Sequence, residues 1–548
     1  MTTFKFKRAL LVVFALHTIA SCSSPDENKT PPRPMRELVL QIVHGLETAP
    51  ILNAAKIRFD ALKTTLGDGS VVKIALSQVP ELEAARKLAN GELKVDGWLV
   101  GPQALTPFVN SHIKGMGAKQ VDCVPLFGSP IVLAARQSDV SIVGAQDGKI
   151  SWNNFFEKMK TGETTKEGSL KNFLTLSHEN PMVSGTGISS LVQLALWSQT
   201  PPSSASTTEA FDPWIRLNAY ESVFTNYDVE SGATRMRSSS RRAGAVPLIL
   251  TTEQQVIDYN RNLPPGGKGY AALYPQEGSY YQEYQLCTSD AAWVPSAKKM
   301  GLRMFTQFLK SDAIARLSAQ SGFRSSSVAE LSKDFAPASF GVHLAAPSQI
   351  APSSTEDMAS TMIAKWPDLA KPAAVVFVLD SSISMAGEAF ERSRVQLKRL
   401  LSLQPSRDSS ALISLSFGAK LEAPLSMDTP ASTKALTELT AMGGATILDG
   451  IKAAFKILAS PSLQGHRKVI VLITAGADSN SSTSIEEISD DLFTEQVTLR
   501  VVSITGLLNV TTESTRLIRA LSSDGQVDYR EINVDAIETG FEELRKRL

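Results

Sequence analysis

The sequence predicts a two-domain α/β protein. Its 548 residues exceed what a single hydrophobic core usually organises. In the C-terminal part, short apolar strands alternate with amphipathic helices, an order typical of a doubly wound, Rossmann-like parallel sheet. The N-terminal part also mixes strand and helix patterns. A stretch rich in Pro, Ser and Ala, 343–372, separates the two and predicts a linker between domains at 37–342 and 373–548.

Charge and motif content disfavour several classes of function. The chain has 55 basic and 55 acidic residues, so no overall field favours nucleic acid. After the N-terminal apolar run, no second apolar stretch approaches the roughly 20 residues that span a membrane. The sequence lacks zinc-binding histidine pairs, a Gly-x-Ser-x-Gly elbow and a phosphate loop. We therefore expect a protein that binds rather than an enzyme.

The N-terminus has the order of a secretory signal. Lys5, Lys7 and Arg8 precede an apolar run at 9–16, which predicts a signal peptide over 1–21. The Ile-Ala-Ser-Cys sequence that ends at Cys22 resembles the lipobox of bacterial lipoproteins, in which the cysteine thiol receives lipid. The polar, proline-rich stretch 22–36 predicts an unfolded tether. An ordinary signal peptide with an incidental cysteine is the alternative.

Export of the chain bears on its other two cysteines. If Cys22 carries lipid, Cys123 and Cys287 remain, and an exported protein meets an oxidising compartment. Both lie in apolar segments that look like strands, so we expect a disulfide between them. Two buried, reduced thiols are the alternative. The expected location is the cell envelope, with the protein lipid-anchored at a membrane and facing the periplasm or the exterior.

A candidate metal site lies early in the C-terminal domain. The apolar run 375–379 ends at Asp380, and hydroxyls follow at Ser382 and Ser384. A carboxylate and two hydroxyls on one turn are hard oxygen ligands of the kind that Mg²⁺ prefers. The carboxyl end of a parallel strand is also where ligands of doubly wound sheets bind. A turn satisfied by its own side chains is the alternative.

On such a strand, this spacing resembles the metal-ion-dependent adhesion site of von Willebrand factor type A (VWA) domains, and the resemblance covers 373–548. It implies that Thr446, after two glycines, is the next ligand. The family's aspartate after the fourth strand is replaced by Ala475, which implies a weakened site for Mg²⁺ or another divalent cation. Asp478 is a candidate replacement at a different backbone position. The resemblance also implies a protein partner.

The N-terminal domain shows a second resemblance. Predicted strands at 38–43, 71–76 and 97–100 alternate with helices at 49–62 and 80–88. The layout resembles the type 2 periplasmic solute-binding proteins, in which crossover strands join two α/β lobes. The segments that carry this likeness are 125–134, 152–162, 252–260 and 274–278. The resemblance implies a cleft between the lobes for a small solute or peptide.

One turn in this domain is a candidate ligand contact. Ser184, Gly185, Thr186 and Gly187 precede a helical stretch, and amides at a helix N-terminus favour anions. A purely structural helix cap explains the segment equally well.

Solute-binding and VWA domains occur together on lipoproteins in a family of bacterial surface proteins, which this chain resembles over nearly its whole length. We therefore expect a membrane-anchored binding and adhesion protein without a catalytic site. A solute receptor associated with a transporter is the alternative. A third hypothesis is an envelope hydrolase that lacks a recognisable motif.

Overall fold

A computed structural model describes most of the chain. The described residues are 36–113, 119–161, 164–165, 168–169, 174–199, 213–228, 231–239, 246–326, 329–345, 347–348, 355–476, 478, 481–494, 497–507, 527–545 and 547–548. The predicted signal peptide, Cys22 and all of the tether except Arg36 lie outside them.

The first domain is built on one mixed sheet with the strand order β2-β1-β3-β12-β4-β10-β8-β9, and β11 pairs with β4 and β5. Strands β6 and β7 form a separate hairpin. The strands are β1 Glu37–His44, β2 Val71–Gln78, β3 Gly97–Val100, β4 Lys119–Arg136, β5 Lys149–Ile150, β6 Thr164–Thr165, β7 Gly168–Ser169, β8 Leu174–Glu179, β9 Asn226–Asp228, β10 Val246–Thr252, β11 Tyr270–Pro275 and β12 Tyr281–Asp290.

Helices occur in both domains and in the stretch that connects them. The described helices are α1 Ala49–Ala61, α2 Glu81–Ala89, α3 Leu105–His112, α4 Trp152–Thr161, α5 Gly185–Ser198, α6 Pro213–Ser222, α7 Gly232–Ser239, α8 Glu253–Arg261, α9 Ser296–Leu309, α10 Asp312–Gln320, α11 Thr355–Leu369, α12 Glu388–Ser402, α13 Pro430–Glu438, α14 Ile447–Leu458, α15 Ile485–Thr494 and α16 Ile537–Arg545. None of them is both long enough and apolar enough to cross a membrane.

Two long strands join the lobes of the first domain. Over 119–130, β4 pairs with β12, which also pairs with β3 in the first lobe. Over 131–136, β4 pairs instead with β10 and β11 in the second lobe. The expected two-lobed architecture with crossover strands is therefore confirmed. It brings loops from both lobes to one cleft.

A disulfide joins the two crossover strands. Cys123 lies on β4 and Cys287 on the neighbouring strand β12, with their sulfur atoms 2.04 Å apart. The Cys287 side chain is fully buried and packs with the main core of the first domain. The bond therefore links the strands that connect the lobes.

Helix α11 lies within the predicted linker, and it docks on the first domain. The helix extends over Thr355–Leu369, although the stretch is rich in Pro, Ser and Ala. It packs against α3, α5 and α6. Its apolar residues recur at helical spacing and are buried in the core of the first domain: Met358, Met362, Ile363, Trp366 and Leu369. Helix α11 therefore both connects the two domains and forms part of the core of the first domain.

The second domain is a doubly wound sheet, as the sequence predicted. The strand order is β15-β14-β13-β16-β17-β18, and every pairing is parallel except that of the edge strand β15. Separate hydrophobic clusters cover its two faces. The strands are β13 Ala373–Asp380, β14 Ser409–Leu415, β15 Ala419–Ser426, β16 Arg467–Thr474, β17 Val497–Thr505 and β18 Val527–Asn533.

Candidate functional site

The first candidate site lies at the carboxyl end of β13, which we call the rim site: Asp380, Ser382, Ser384 and Thr446. All eight residues of β13 are buried, and the strand ends on Asp380 with its carboxylate fully enclosed. Asp380 Oδ1 accepts a hydrogen bond from the Ser382 amide at 2.9 Å. Asp380 Oδ2 accepts one from Thr474 Oγ1 at 2.8 Å and one from the Ala475 amide at 3.3 Å. Strand β16 therefore helps to fix the carboxylate.

Hydroxyl groups surround this carboxylate. Ser382 Oγ and Ser384 Oγ lie 2.7 Å apart on a short 3₁₀ turn. The glycine-bearing loop before α14 is fastened to this turn, because the Ile383 amide donates to the Gly443 carbonyl at 3.0 Å. Thr446 ends that loop, and its Oγ1 is buried without a hydrogen-bond partner among the described residues.

These groups have the chemistry of a hard-cation site. A buried hydroxyl with no protein partner is costly unless another group satisfies it. Burial raises the pKa of Asp380, while hydrogen bonds from Ser382 and Thr474 oppose that rise. A divalent cation would offset the burial of the charged carboxylate and give Thr446 Oγ1 a partner. The residues present therefore fit a cation.

Asp478 has a local role that the sequence did not suggest. Its Oδ1 accepts hydrogen bonds from the Ile447 amide and from Ser481 Oγ, both at 2.7 Å. It therefore caps α14, where a negative charge is favourable at a helix N-terminus. Ala475, the position of the family's aspartate, is fully buried and offers no oxygen ligand from its side chain.

The second candidate site is a cavity of about 510 Å³ between the lobes, lined in part by Glu47, Glu81 and Glu179. Glu47 and Glu81 lie in the segments that follow β1 and β2, and Glu179 is the last residue of β8. Glu81 and Glu179 are 7% and 3% exposed, and Glu47 is partly exposed. The carboxyl ends of strands from both lobes therefore bring three carboxylates to one cavity.

Glu47 extends from the first lobe into the second. Its Oε1 accepts hydrogen bonds from Thr186 Oγ1 at 2.6 Å and Gln255 Nε2 at 3.1 Å. Its Oε2 accepts from Gln282 Nε2 at 3.3 Å and from the Tyr284 hydroxyl, both on the crossover strand β12. One carboxylate therefore ties the two lobes to a crossover strand.

Glu179 is held by residues of the second lobe. Its Oε1 accepts hydrogen bonds from the Gly232 amide and from Gln255 Nε2, both at 2.9 Å. Its Oε2 accepts one from Ser184 Oγ. Since Gln255 also donates to Glu47, one amide group bridges two carboxylates.

The predicted turn at Ser184 borders this cavity. Ser184 is the N-cap of α5, since its Oγ accepts a hydrogen bond from the Gly187 amide at 3.2 Å. Two glycines let neighbouring backbone come close to this turn. A Cβ added at Gly185 would lie 2.3 Å from the Gly101 carbonyl oxygen, and a Cβ added at Gly187 would lie 2.4 Å from the Glu179 carbonyl oxygen. The turn is a structural cap, and its hydroxyls also donate to the carboxylates at the cavity. A direct contact with a ligand stays a prediction.

The three carboxyl groups have raised pKa values. Burial is the main cause, and it raises the pKa of Glu47 and Glu81 to about 7 and that of Glu179 to about 8. Repulsion among these carboxylates raises the values further, and hydrogen bonds such as those from Ser184 and Gln255 oppose the rise. Perturbed carboxyl groups in a cleft are typical of functional sites.

The sequence contained a signal for these three residues that went unused. Each lies at or just after the carboxyl end of a strand in a parallel arrangement, as Asp380 does. The same rule that identified Asp380 would have selected them. Their convergence on one cavity depends on the crossover strands, which no local pattern encodes.

Two family models match the chain. The model for bacterial extracellular solute-binding proteins matches residues 40–324, and the model for the von Willebrand factor type A domain matches residues 375–477. Both describe domains of binding or adhesion types rather than enzyme families. By sequence, no curated protein matches the chain.

Solved structures resemble each domain separately. The periplasmic binding protein AfuA from Actinobacillus pleuropneumoniae, solved with fructose-6-phosphate, is 15% identical, with a TM-score of 0.41 over 60% of this chain and 97% of that one. BatB from Bacteroides thetaiotaomicron is 17% identical, with a TM-score of 0.27 over 32% and 98%. The VWA domain of the pilus tip protein Mfa5 from Porphyromonas gingivalis is 10% identical, with a TM-score of 0.27 over 32% and 94%.

We expect the first domain to lose stability as the pH rises from about 5 to about 8. The ordinary pKa of a glutamate is 4.5, and the folded state raises it at Glu47, Glu81 and Glu179. Between the two values the folded state binds more protons than the unfolded chain, so raising the pH lowers the free energy of unfolding. Glu179→Gln removes one such group and should flatten this dependence.

The measurement is urea unfolding followed by tryptophan fluorescence between pH 5 and pH 8. All 6 tryptophans precede residue 373, so the signal reports the first domain and α11. Glu157→Gln, on the exposed face of α4, is the control and should keep the parent's slope. If the free energy of unfolding depends on pH equally steeply in the parent and in Glu179→Gln, the pKa of Glu179 is not raised in the folded state.

Proposed function

Because the chain belongs to the family of bacterial extracellular solute-binding proteins, we propose that it is a lipid-anchored envelope protein with two binding sites. The first domain binds a solute or peptide between its lobes, and the VWA domain binds a protein partner. The observation that carries the proposal is the convergence of both lobes on one cavity, where Glu47 from the first lobe contacts Thr186 and Gln255 of the second. A ligand between the lobes would contact both.

The cavity has the size and lining of a solute site. Its volume of about 510 Å³ lies within the roughly 300–1,000 Å³ that is common for small-molecule sites. Apolar side chains line it beside the carboxylates, among them Leu46, Met182 and Val183. Such a lining favours an organic solute that has a polar group and an apolar part.

The rim site supports partner binding through a divalent cation. Asp380, Ser382, Ser384 and Thr446 would hold the ion, and Thr446 Oγ1 is the buried hydroxyl that still needs a partner. When bound, the ion would attract a carboxylate of the partner by charge. The missing carboxylate at Ala475 leaves more positive charge on the ion for that partner, and it also weakens the hold of the protein on the ion.

The two domains meet close to the cavity, which favours a common role. Glu543 and Arg545 of α16, with Arg547, line the mouth of the cavity together with Glu81 and Glu179. The Lys371 amide donates to the Tyr227 hydroxyl at 3.0 Å, and the Arg467 guanidinium lies 5.1 Å from the centre of the Tyr227 ring. A change between the lobes would therefore reach the VWA domain.

Substitutions at the rim site should change cation affinity in opposite directions. Ala475→Asp adds a carboxylate beside Asp380, so we expect Mg²⁺ to bind at least about tenfold more tightly than to the parent. Asp380→Ala removes the carboxylate at the centre of the site and should abolish binding. Isothermal titration of the full chain with Mg²⁺ and Mn²⁺ measures both effects.

Asp428→Ala, an exposed carboxylate in the same domain, is the matched control and should retain the parent's affinity. Capture of partners from envelope extract, with and without a chelator, then tests the adhesion role with the same variants. Cation binding that persists in Asp380→Ala would place the ion elsewhere. Equal capture by the parent and Asp380→Ala would show that the rim site has no part in partner binding.

Substitution of Cys22 tests the proposed lipid anchor. If this thiol carries lipid, the parent should fractionate with membranes, and Cys22→Ala should be released into the soluble envelope fraction. Detergent phase partitioning after cell fractionation measures the difference, and Cys123→Ala is the control for loss of a cysteine elsewhere. Equal partitioning of Cys22→Ala and the parent would contradict lipid anchoring.

A further inference from the structure

The cavity between the lobes contains negative charge without a positive partner. In the described part of the chain, no cationic side chain forms an ion pair with Glu47, Glu81 or Glu179. Buried carboxylates are rare unless they are paired. The three groups therefore lack the counter-charge that such burial normally requires.

The surroundings of two of the groups are arranged for the ionised form. Glu179 accepts hydrogen bonds from the Gly232 amide and from Gln255 Nε2, and both of these groups can only donate. Glu47 accepts from Gln255 Nε2 and Gln282 Nε2, which also can only donate. Donors stabilise a negative charge without neutralising it. A cation is what the arrangement lacks.

Four cationic side chains of the protein lie around the mouth of the cavity, and three of them pair with carboxylates. Arg86 contacts the sulfur of Met182 at 3.9 Å and does not reach the three carboxylates. Glu92 and Glu543 add further carboxylates at the mouth. The remaining cations pair with carboxylates outside the cluster: Lys87 with Glu83 at 2.6 Å, Arg547 with Asp528 at 2.8 Å and Arg545 with Glu542 at 3.2 Å.

A buried amide beside Glu47 also has an unsatisfied acceptor. Gln282 is fully buried, and its Oε1 has no hydrogen-bond partner among the described residues. The nitrogen of the same amide lies 3.3 Å from Glu47 Oε2, so Gln282 lies behind the carboxylate rather than in the lining of the cavity. A buried acceptor without a donor is costly, and a ligand that shifts Glu47 would change its surroundings.

We propose that the cavity between the lobes takes a small organic cation that carries ammonium or guanidinium groups. This inference rests on the proposed solute-binding role of the first domain and names its ligand class. The N–H groups of the ligand donate to Glu47, Glu81 and Glu179, and its apolar part packs on Leu46, Met182 and Val183. A bare metal ion would leave most of a cavity of about 510 Å³ unfilled.

Binding of a cation should release protons. Since burial raises the pKa of Glu47 and Glu81 to about 7 and that of Glu179 to about 8, part of the cluster is protonated at neutral pH. A cation favours the ionised carboxylates, so affinity should fall as the pH drops from 8 to 6.

Isothermal titration of the full chain tests the inference at pH 8 and pH 6. The cationic probes are putrescine, spermidine and agmatine, the anionic probes are phosphate and sulfate, and glucose is the neutral probe. We expect a cationic probe to bind at least about tenfold more tightly at pH 8 than at pH 6. Glu179→Gln and, independently, Glu81→Gln should weaken it at least tenfold, whereas Glu157→Gln should not.

The other outcomes separate this inference from the proposed function. Binding of an anion or of glucose, but of no cationic probe, would overturn the cationic ligand and leave the solute-binding role standing. Binding of none of the probes would overturn the cationic ligand. Cation binding that survives Glu179→Gln and Glu81→Gln, in variants with the parent's circular dichroism, would place the cation outside the cavity. The Asp380→Ala variant lacks the rim site, so Mg²⁺ binding in that variant reports a different place. If Mg²⁺ but no organic probe binds to it, and if adding Glu179→Gln abolishes this binding, the proposal of an organic cation is also overturned.

Discussion

Both candidate sites depend on carboxylates that are buried where parallel strands end. A carboxylate in such a position loses its hydration. The protein replaces the lost water only with hydrogen bonds from amides and hydroxyls at the ends of neighbouring strands and helices. At the rim site these donors are Ser382, Thr474 and Ala475. Between the lobes they come from elements far apart in sequence. In both places the arrangement fits a cation that would come from outside the chain.

The crossover strands are what make the cavity between the lobes possible. Because β4 and β12 pair along the first lobe and β4 continues into the second, loops from both lobes face one cleft. Gly185 allows the lobes to approach closely at that point, since a side chain there would meet the Gly101 carbonyl oxygen. The docking of α11 on the first domain brings the VWA domain to the mouth of the same cleft. Residues of both domains therefore line the same cavity.

The sequence predicted what local patterns encode. Asp380 was recognisable because an uninterrupted apolar strand ends on it and hydroxyls follow at fixed spacing. Strands β15 and β18 carry no such signal, because they are edge strands without an apolar run. Glu47, Glu81 and Glu179 were missed among 55 acidic residues, since only the crossover topology brings them together. The role of Asp478 as a helix cap also depends on a contact between separate loops.

Solute binding in the cleft can be tested on the native protein. Native mass spectrometry of the full chain, purified in mild detergent from the cells that produce it, is the most direct measurement. We expect a mass above that of the polypeptide by a small, positively charged organic molecule, and the loss of that molecule in Glu179→Gln. The mass of the polypeptide alone, for the parent and the variant alike, would contradict solute binding in the cleft.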